Sequence, residues 1–205
     1  MFKKRFSRII KRAADFLISL LALIILSPVF LMVAILIKLD SDGPIFFTQE
    51  RVAKAGKIFK MYKFRTMKKN AFDTGIEDVG QDDQRITKIG RFLREWTIDE
   101  LPQLMHILSG DMSLVGPRAL PQHNIKDKRI IKLWQKRLSV RQGFISLVDI
   151  KGRNLVPWEE RFEYDAWYVD NWSLRLDFRI LVAGIFMLFS KKGIYGDVKS
   201  NKLLK

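Results

Sequence analysis

The run from Phe16 to Ile37 contains no charged residue and is dominated by Leu, Ile and Val. As a straight helix it is about 33 Å long, enough for a hydrocarbon core of about 30 Å. A core helix of a small domain is apolar along one stripe, and a helix apolar on all faces needs lipid around it. A secretory signal peptide fits poorly, because the run is long, no small-residue cleavage site follows, and Lys38 and Asp40 close it. The run is therefore read as a membrane segment. Lys3, Lys4, Arg5, Arg8, Lys11 and Arg12 precede it with no acid among them, which marks a cytoplasmic flank.

Pro28, preceded by Ser27, sits near the middle of the run. A proline there removes one backbone hydrogen bond and crowds the carbonyl one turn back, at Ile24. Spanning helices tolerate prolines when a Ser hydroxyl satisfies the freed group. Beyond the run, Lys38, Arg51, Lys54 and Lys57 follow, and bases still outnumber acids. A spanning helix would export this basic portion. A helix that enters, bends at Ser27–Pro28 and returns to the same face satisfies both observations, and re-entrant is preferred to spanning.

The formal net charge of the 205 residues is +15, which implies an anionic partner such as nucleic acid, anionic lipid or a phosphorylated substrate. A hydrophobic content of 48% excludes a disordered basic tail. With no cysteine and two histidines, disulfides, thiol nucleophiles and Cys- or His-rich metal centres drop out. No Walker-type or G-x-G-x-x-G loop occurs, which removes support for ATP and dinucleotide folds. The expected fold class is α+β, mainly helical and monotopic, with residues 1–40 as the basic N-terminus and re-entrant helix and residues 41–205 as one further unit with interfacial helices.

Within residues 41–205 the pattern predicts a small β-hairpin, Ile45–Arg51 and Lys57–Thr66, turning near Ala55–Gly56. A regular second strand would put Lys63 and Arg65 on one face. Residues 71–84 read as a loop, 86–96 and 100–109 as helices, and 125–138 as an amphipathic helix at a charged surface. Trp158, Phe162, Tyr164, Trp167, Tyr168 and Trp172 crowd together as at a bilayer interface, although core packing explains some equally well. Ile180–Phe189 is too short to span and reads as a helix in the interface plane, before a basic tail over 193–205.

Asp99 and Glu100 open the segment Asp99-Glu100-Leu101-Pro102-Gln103-Leu104, and Pro102 places a helix start near Asp99. Read alone, the segment favours a cap: Asp99 itself, or Thr97 with Glu100 as a capping box. The chemical reading is that one carboxylate attacks phosphorus while its neighbour helps hold Mg²⁺ with phosphate oxygens. Arg85, Arg91, Arg94, Arg118, Arg137, Arg141 and Arg153 punctuate the same region. Guanidinium forks match phosphate geometry, although some of them belong to solvated surface. The stretch Gly110–Arg118 reads as a turn that holds Arg118 rigidly. His106 and His123 read as helix surface and loop.

These residues resemble a known family. Arg85-Ile86-Thr87, Gly90-Arg91-Phe92-Leu93-Arg94, Asp99–Leu104 and Gly110–Arg118 look like the bacterial sugar transferases, the monotopic phosphoglycosyl transferases. Tyr62-Lys63-Phe64-Arg65-Thr66-Met67, Ser27–Pro28 and Gly152-Arg153-Asn154 match the same family, in order and over nearly the whole chain. The chain resembles the small form, a catalytic core without an extra N-terminal membrane bundle. The resemblance implies transfer of a sugar phosphate from a UDP-sugar to polyprenol phosphate, releasing UMP, to initiate membrane glycan assembly. It implies Asp99 as nucleophile, Asp99 and Glu100 sharing Mg²⁺, and Lys63, Arg94 and Arg118 facing phosphates, with Arg85 and Arg153 as further substrate contacts.

The implied place is the cytoplasmic face of the bacterial inner membrane. The implied partners are the donor, the lipid acceptor and membrane lipids, with no nucleic acid and with a homodimer left open. The chain departs from the family pattern at Ala119, where proline is usual, and across residues 142–151, where several small or polar positions are larger or charged. A non-catalytic membrane adaptor is the competing class.

Overall fold

The computed structural model describes residues 2–69, 71, 83–122 and 127–188. Most of the expected 71–84 loop, His123, the start of the 125–138 helix and the 193–205 tail lie outside the described residues.

Helix α1 runs as one element from Phe2 to Asp40, through Pro28. The Ser27 hydroxyl donates to the Ile24 carbonyl at 2.8 Å, the acceptor that the missing Pro28 N–H would have used. Leu17, Ile18, Leu21, Ile24, Ile25 and Leu31 are exposed, so the apolar run is not a core helix of the protein body.

Both halves of α1 are tied to that body. In the first half, Lys11 Nζ meets Asp177 Oδ2 at 2.7 Å and the Val115 carbonyl at 3.0 Å. Arg12 donates to the Ile107 and Leu108 carbonyls at 2.6 and 2.8 Å, and Asp15 accepts the Leu114 N–H. In the second half, Val33 and Ile37 pack with Phe64 and Leu93. There the Arg65 guanidinium donates to the Ser41 carbonyl at 2.6 Å and to that of Asp42, a cation on the negative end of the helix.

Strands β1 (Phe46–Val52) and β2 (Ile58–Phe64) form the expected antiparallel hairpin, with Thr48 opposite Tyr62. Ala55 and Gly56 make its turn with positive φ angles of 59° and 81°. Because β2 ends at Phe64, Arg65 does not share a working face with Lys63: Arg65 goes to the end of α1 and Lys63 goes elsewhere.

A second, parallel pair was not expected: β3 (Met112–Val115) and β4 (Gln142–Ile145), joined by a crossover that contains α4 (Lys128–Arg137). The Gly110–Arg118 stretch therefore holds a strand, not only a turn. All four β3 residues are buried, and a strand buried on both faces shows no alternation to read. The chains approach closely at Gly143, where an added Cβ would lie 2.1 Å from the Gly116 nitrogen. Any side chain there would force the two segments apart.

Helix α2 (Lys88–Glu95) starts at a Thr87 cap that accepts the Gly90 N–H. After it come α3 (Leu104–Ser109), α5 (Leu147–Lys151), α6 (Trp158–Asn171) and α7 (Leu174–Leu188). The main core gathers Ile107, Met112, Val115, Ile145, Tyr168 and Ile180. Phe162 and Tyr168 are buried, so core packing claims that part of the aromatic cluster, while Trp167 is exposed. Helix α7 begins earlier than the expected Ile180. It buries Ile180 and Gly184, the latter against Ile145, and exposes Phe178, Val182, Ile185 and Phe186 along the other side.

Candidate active site

Between α2 and α3 the chain reverses at Thr97, whose φ of 57° is left-handed. A β-branched residue rarely adopts this conformation. The turn leads into a 3-10 helix, Ile98–Gln103, with Asp99, Glu100 and Gln103 all buried. This corrects the cap alternative: Thr97 makes no side-chain cap, and both carboxylates point inward instead of closing a helix end.

Three segments converge on the pair. From β2, Lys63 Nζ reaches Glu100 Oε1 at 2.7 Å. From the segment after β3, Arg118 pairs with the same oxygen through Nη2 and lies 3.6 Å from Asp149 Oδ1 through Nη1. From the last turn of α2, Arg94 holds the Thr66 hydroxyl at 2.8 Å and bears electrostatically on Asp99. Arg94 comes this close because Gly90 lets α2 lie on residue 66: a Cβ there would be 2.0 Å from the Thr66 carbonyl oxygen.

The two carboxylates differ. Burial pushes the Asp99 carboxyl up, to about 6, against the pull of Lys63 and with some further push from Glu100. Burial acts on Glu100 too, but Arg118 and Lys63 outweigh it and hold that carboxyl far below the usual range. Among the described residues no hydrogen-bond donor lies on the Asp99 carboxylate. One carboxylate is clamped and the other has lone pairs to offer.

Asp149 was not anticipated. It closes a capping box at the start of α5, accepting from the Ser146 N–H and hydroxyl at 2.7 Å, and it gives Arg118 a second carboxylate. The Ser-x-x-Asp spacing was the available signal. Arg153, left-handed at φ 55°, feels Asp149, Arg118 and Glu100 while burial lowers its guanidinium. A cavity open to solvent lies here, lined in part by Arg118, Leu120, Val148, Arg153, Asn154 and Arg161.

Other expected contacts are directed elsewhere. Arg85 forks Asp83 at 2.6 to 3.1 Å and also donates to the Ala71 carbonyl. Arg91 and Arg141 are exposed, and Arg141 donates to the Gly110 carbonyl. Arg137 is wholly buried against Asp165. His106 is buried too, not on a helix surface. Ser27 and Pro28 lie in α1, away from the dyad in sequence and element.

Mg²⁺ ordinarily takes one or two carboxylates together with substrate phosphate oxygens. The dyad fits that pattern, since Asp99 and the second Glu100 oxygen are not committed to the Lys63–Arg118 clamp. No cluster of three or more acidic or His side chains forms among the described residues.

The family model described as bacterial sugar transferase matches residues 6–191. UDP-glucose:undecaprenyl-phosphate glucose-1-phosphate transferase of Escherichia coli K12 is 37% identical over 195 residues, covering 92% of this chain and 42% of the relative. Undecaprenyl-phosphate galactose phosphotransferase of Salmonella typhimurium is 37% identical over 208 residues, 94% of this chain and 43% of the relative. The chain thus spans less than half the length of these two enzymes. An uncharacterized sugar transferase of Bacillus subtilis, EpsL, is 39% identical over 191 residues, 91% of this chain and 90% of the relative.

Proposed function

The chain belongs to the bacterial sugar transferase family, and from that premise we propose that it is a phosphoglycosyl transferase moving a sugar phosphate from a UDP-sugar to undecaprenyl phosphate. The observation that carries the reading is the dyad: Asp99 unclamped beside a Glu100 held by Lys63 and Arg118. An Asp99 oxygen attacks the phosphorus that bears the sugar, and the P–O bond to UMP breaks. The sugar phosphate rests on Asp99 as an acyl phosphate. A phosphate oxygen of the polyprenol then attacks the same phosphorus, and the Asp99 carboxylate leaves. Lys63, Arg94 and Arg118, with Arg153 at the cavity, neutralise charge on the phosphates. Bound Mg²⁺, held by Asp99 and Glu100, would supply further neutralisation of phosphate charge.

The test is UMP release by the purified chain with undecaprenyl phosphate, Mg²⁺ and a panel of UDP-sugars. Release should require the acceptor for sustained turnover and should cease on chelation of Mg²⁺. No UMP from folded protein with any donor would favour the adaptor class.

The membrane placement follows the same reading. Ends of α1 that both dock on one body support a helix returning to the face it entered, with the body at the cytoplasmic side of the inner membrane. The chain has no cysteine, so Ser7→Cys and Ala55→Cys each introduce a sole thiol. Neither should label with an impermeant reagent outside intact cells, and both should label in inverted vesicles. Outside labelling at one position alone would mean that α1 crosses.

A further inference from the structure

His106 lies on α3, which follows directly on the 3-10 helix that carries the dyad, and its ring faces β2. Nε2 accepts the Tyr62 N–H at 3.1 Å, which a ring nitrogen can do only when it carries no proton. The ring stacks on Tyr62, with centroids 5.0 Å apart at 13°, and meets Phe59 edge-on at 5.0 Å. The next residue along β2 is Lys63, whose ammonium holds Glu100. A two-stranded ribbon leaves its outer N–H groups unpaired unless something outside the ribbon accepts them.

We propose that His106 is a positioning residue: as a neutral acceptor it locks the strand bearing Lys63 to the segment bearing Asp99 and Glu100, and protonation of its ring releases that lock. This rests on the reading of Lys63 as a ligand of the donor phosphates. A protonated ring would set an N–H against the Tyr62 N–H and lose the bond. The surroundings keep it neutral: burial lowers the imidazole below its ordinary value, and Asp111 pulls weakly the other way. Asp111 is itself paired with Lys57 at 2.8 Å. Of the other charges near, Arg12 of α1 is spent on the Ile107 and Leu108 carbonyls and Lys63 on Glu100.

The chain has 4 tyrosines, so ¹⁵N-tyrosine labelling of the full chain in nanodiscs isolates the Tyr62 amide among few signals. Its exchange protection, corrected for the intrinsic rate, should fall about tenfold as pH drops from about 7.5 to about 5. In His106→Gln, which keeps an acceptor and cannot titrate, protection should be independent of pH. In His106→Leu it should be low throughout. Protection that is unchanged by pH in the unmodified chain, or retained in His106→Leu, would overturn the lock.

A second arm measures UDP-glucose binding in the Asp99→Asn background, where neither Asp99 nor the diester phosphates of the probe titrate over this range. Affinity should fall with pH in step with the Tyr62 amide, and His106→Gln should remove the fall. A pH-dependent amide with pH-independent affinity would overturn the link to Lys63. No binding at any pH would instead count against UDP-glucose as donor, and the exchange arm would still decide the lock.

Discussion

Asp99→Asn should lower UMP release by at least about a thousandfold, which corresponds to ~4 kcal/mol of barrier. The substitution keeps the shape of the side chain and removes the oxygen proposed as nucleophile, leaving Glu100 clamped by Lys63 and Arg118 and unable to replace it. Donor labelled in its sugar phosphate should leave label on the unmodified protein when acceptor is withheld, and none on the variant. Loss of fold is separable from loss of chemistry. The folded Asp99 carboxyl is raised to about 6 from an ordinary 3.8, so its contribution to stability is fully present only below the ordinary value and is lost as pH rises from there through about 6. At pH 7.5 the neutral Asn should therefore melt no lower than the unmodified chain. UMP release near the original rate would remove Asp99 from the role of nucleophile.

The second large effect lies away from the dyad. Arg137 of α4 is wholly buried, with Nε 2.9 Å from Asp165 Oδ2 of α6. Its guanidinium lies over the Trp134 and Phe162 rings and also donates to the Arg118 carbonyl. Removing one partner of such a pair strands a charge in the interior, so Asp165→Ala should cost about 3–5 kcal/mol. Replacing both, Arg137→Met with Asp165→Leu, should recover most of that stability, because a buried pair is weakly stabilising relative to apolar neighbours of similar size. Activity should not recover with it. The double variant has lost the donor that holds the backbone of Arg118, and Arg118 must meet Glu100 to complete the clamp. Chemical unfolding in detergent reads the first effect and UMP release reads the second. Equal recovery of both would reduce Arg137 to packing alone.

How much of this was legible in the sequence follows from the range of the interactions. The apolar run of α1 and the hairpin are local patterns, legible in neighbouring residues, whereas the Asp99–Glu100 segment alone favours a cap and takes its chemical reading from the resemblance. The left-handed Thr97 was not legible, because its conformation is imposed by packing on both sides and nothing in Trp96-Thr97-Ile98 requires it. The β3–β4 pair joins segments separated by the whole α4 crossover, beyond the reach of any local pattern. Arginines were the least legible residues. Arg118, Arg137 and Arg85 look alike in the chain, yet one meets Glu100, one is interred against Asp165 and one forks Asp83. Charge type alone carries no address.

The docking of α1 also has a consequence in time. Lys11 finds its carboxylate at Asp177, 166 residues later in the chain, and Arg12 its carbonyls at Ile107 and Leu108. A ribosome emits the apolar helix before the body that anchors it exists. The helix must therefore be sheltered by lipid or by a chaperone before any of its polar flank is satisfied. Its docking on the body is complete only when α7 arrives, so biogenesis ends with the anchor rather than beginning with it.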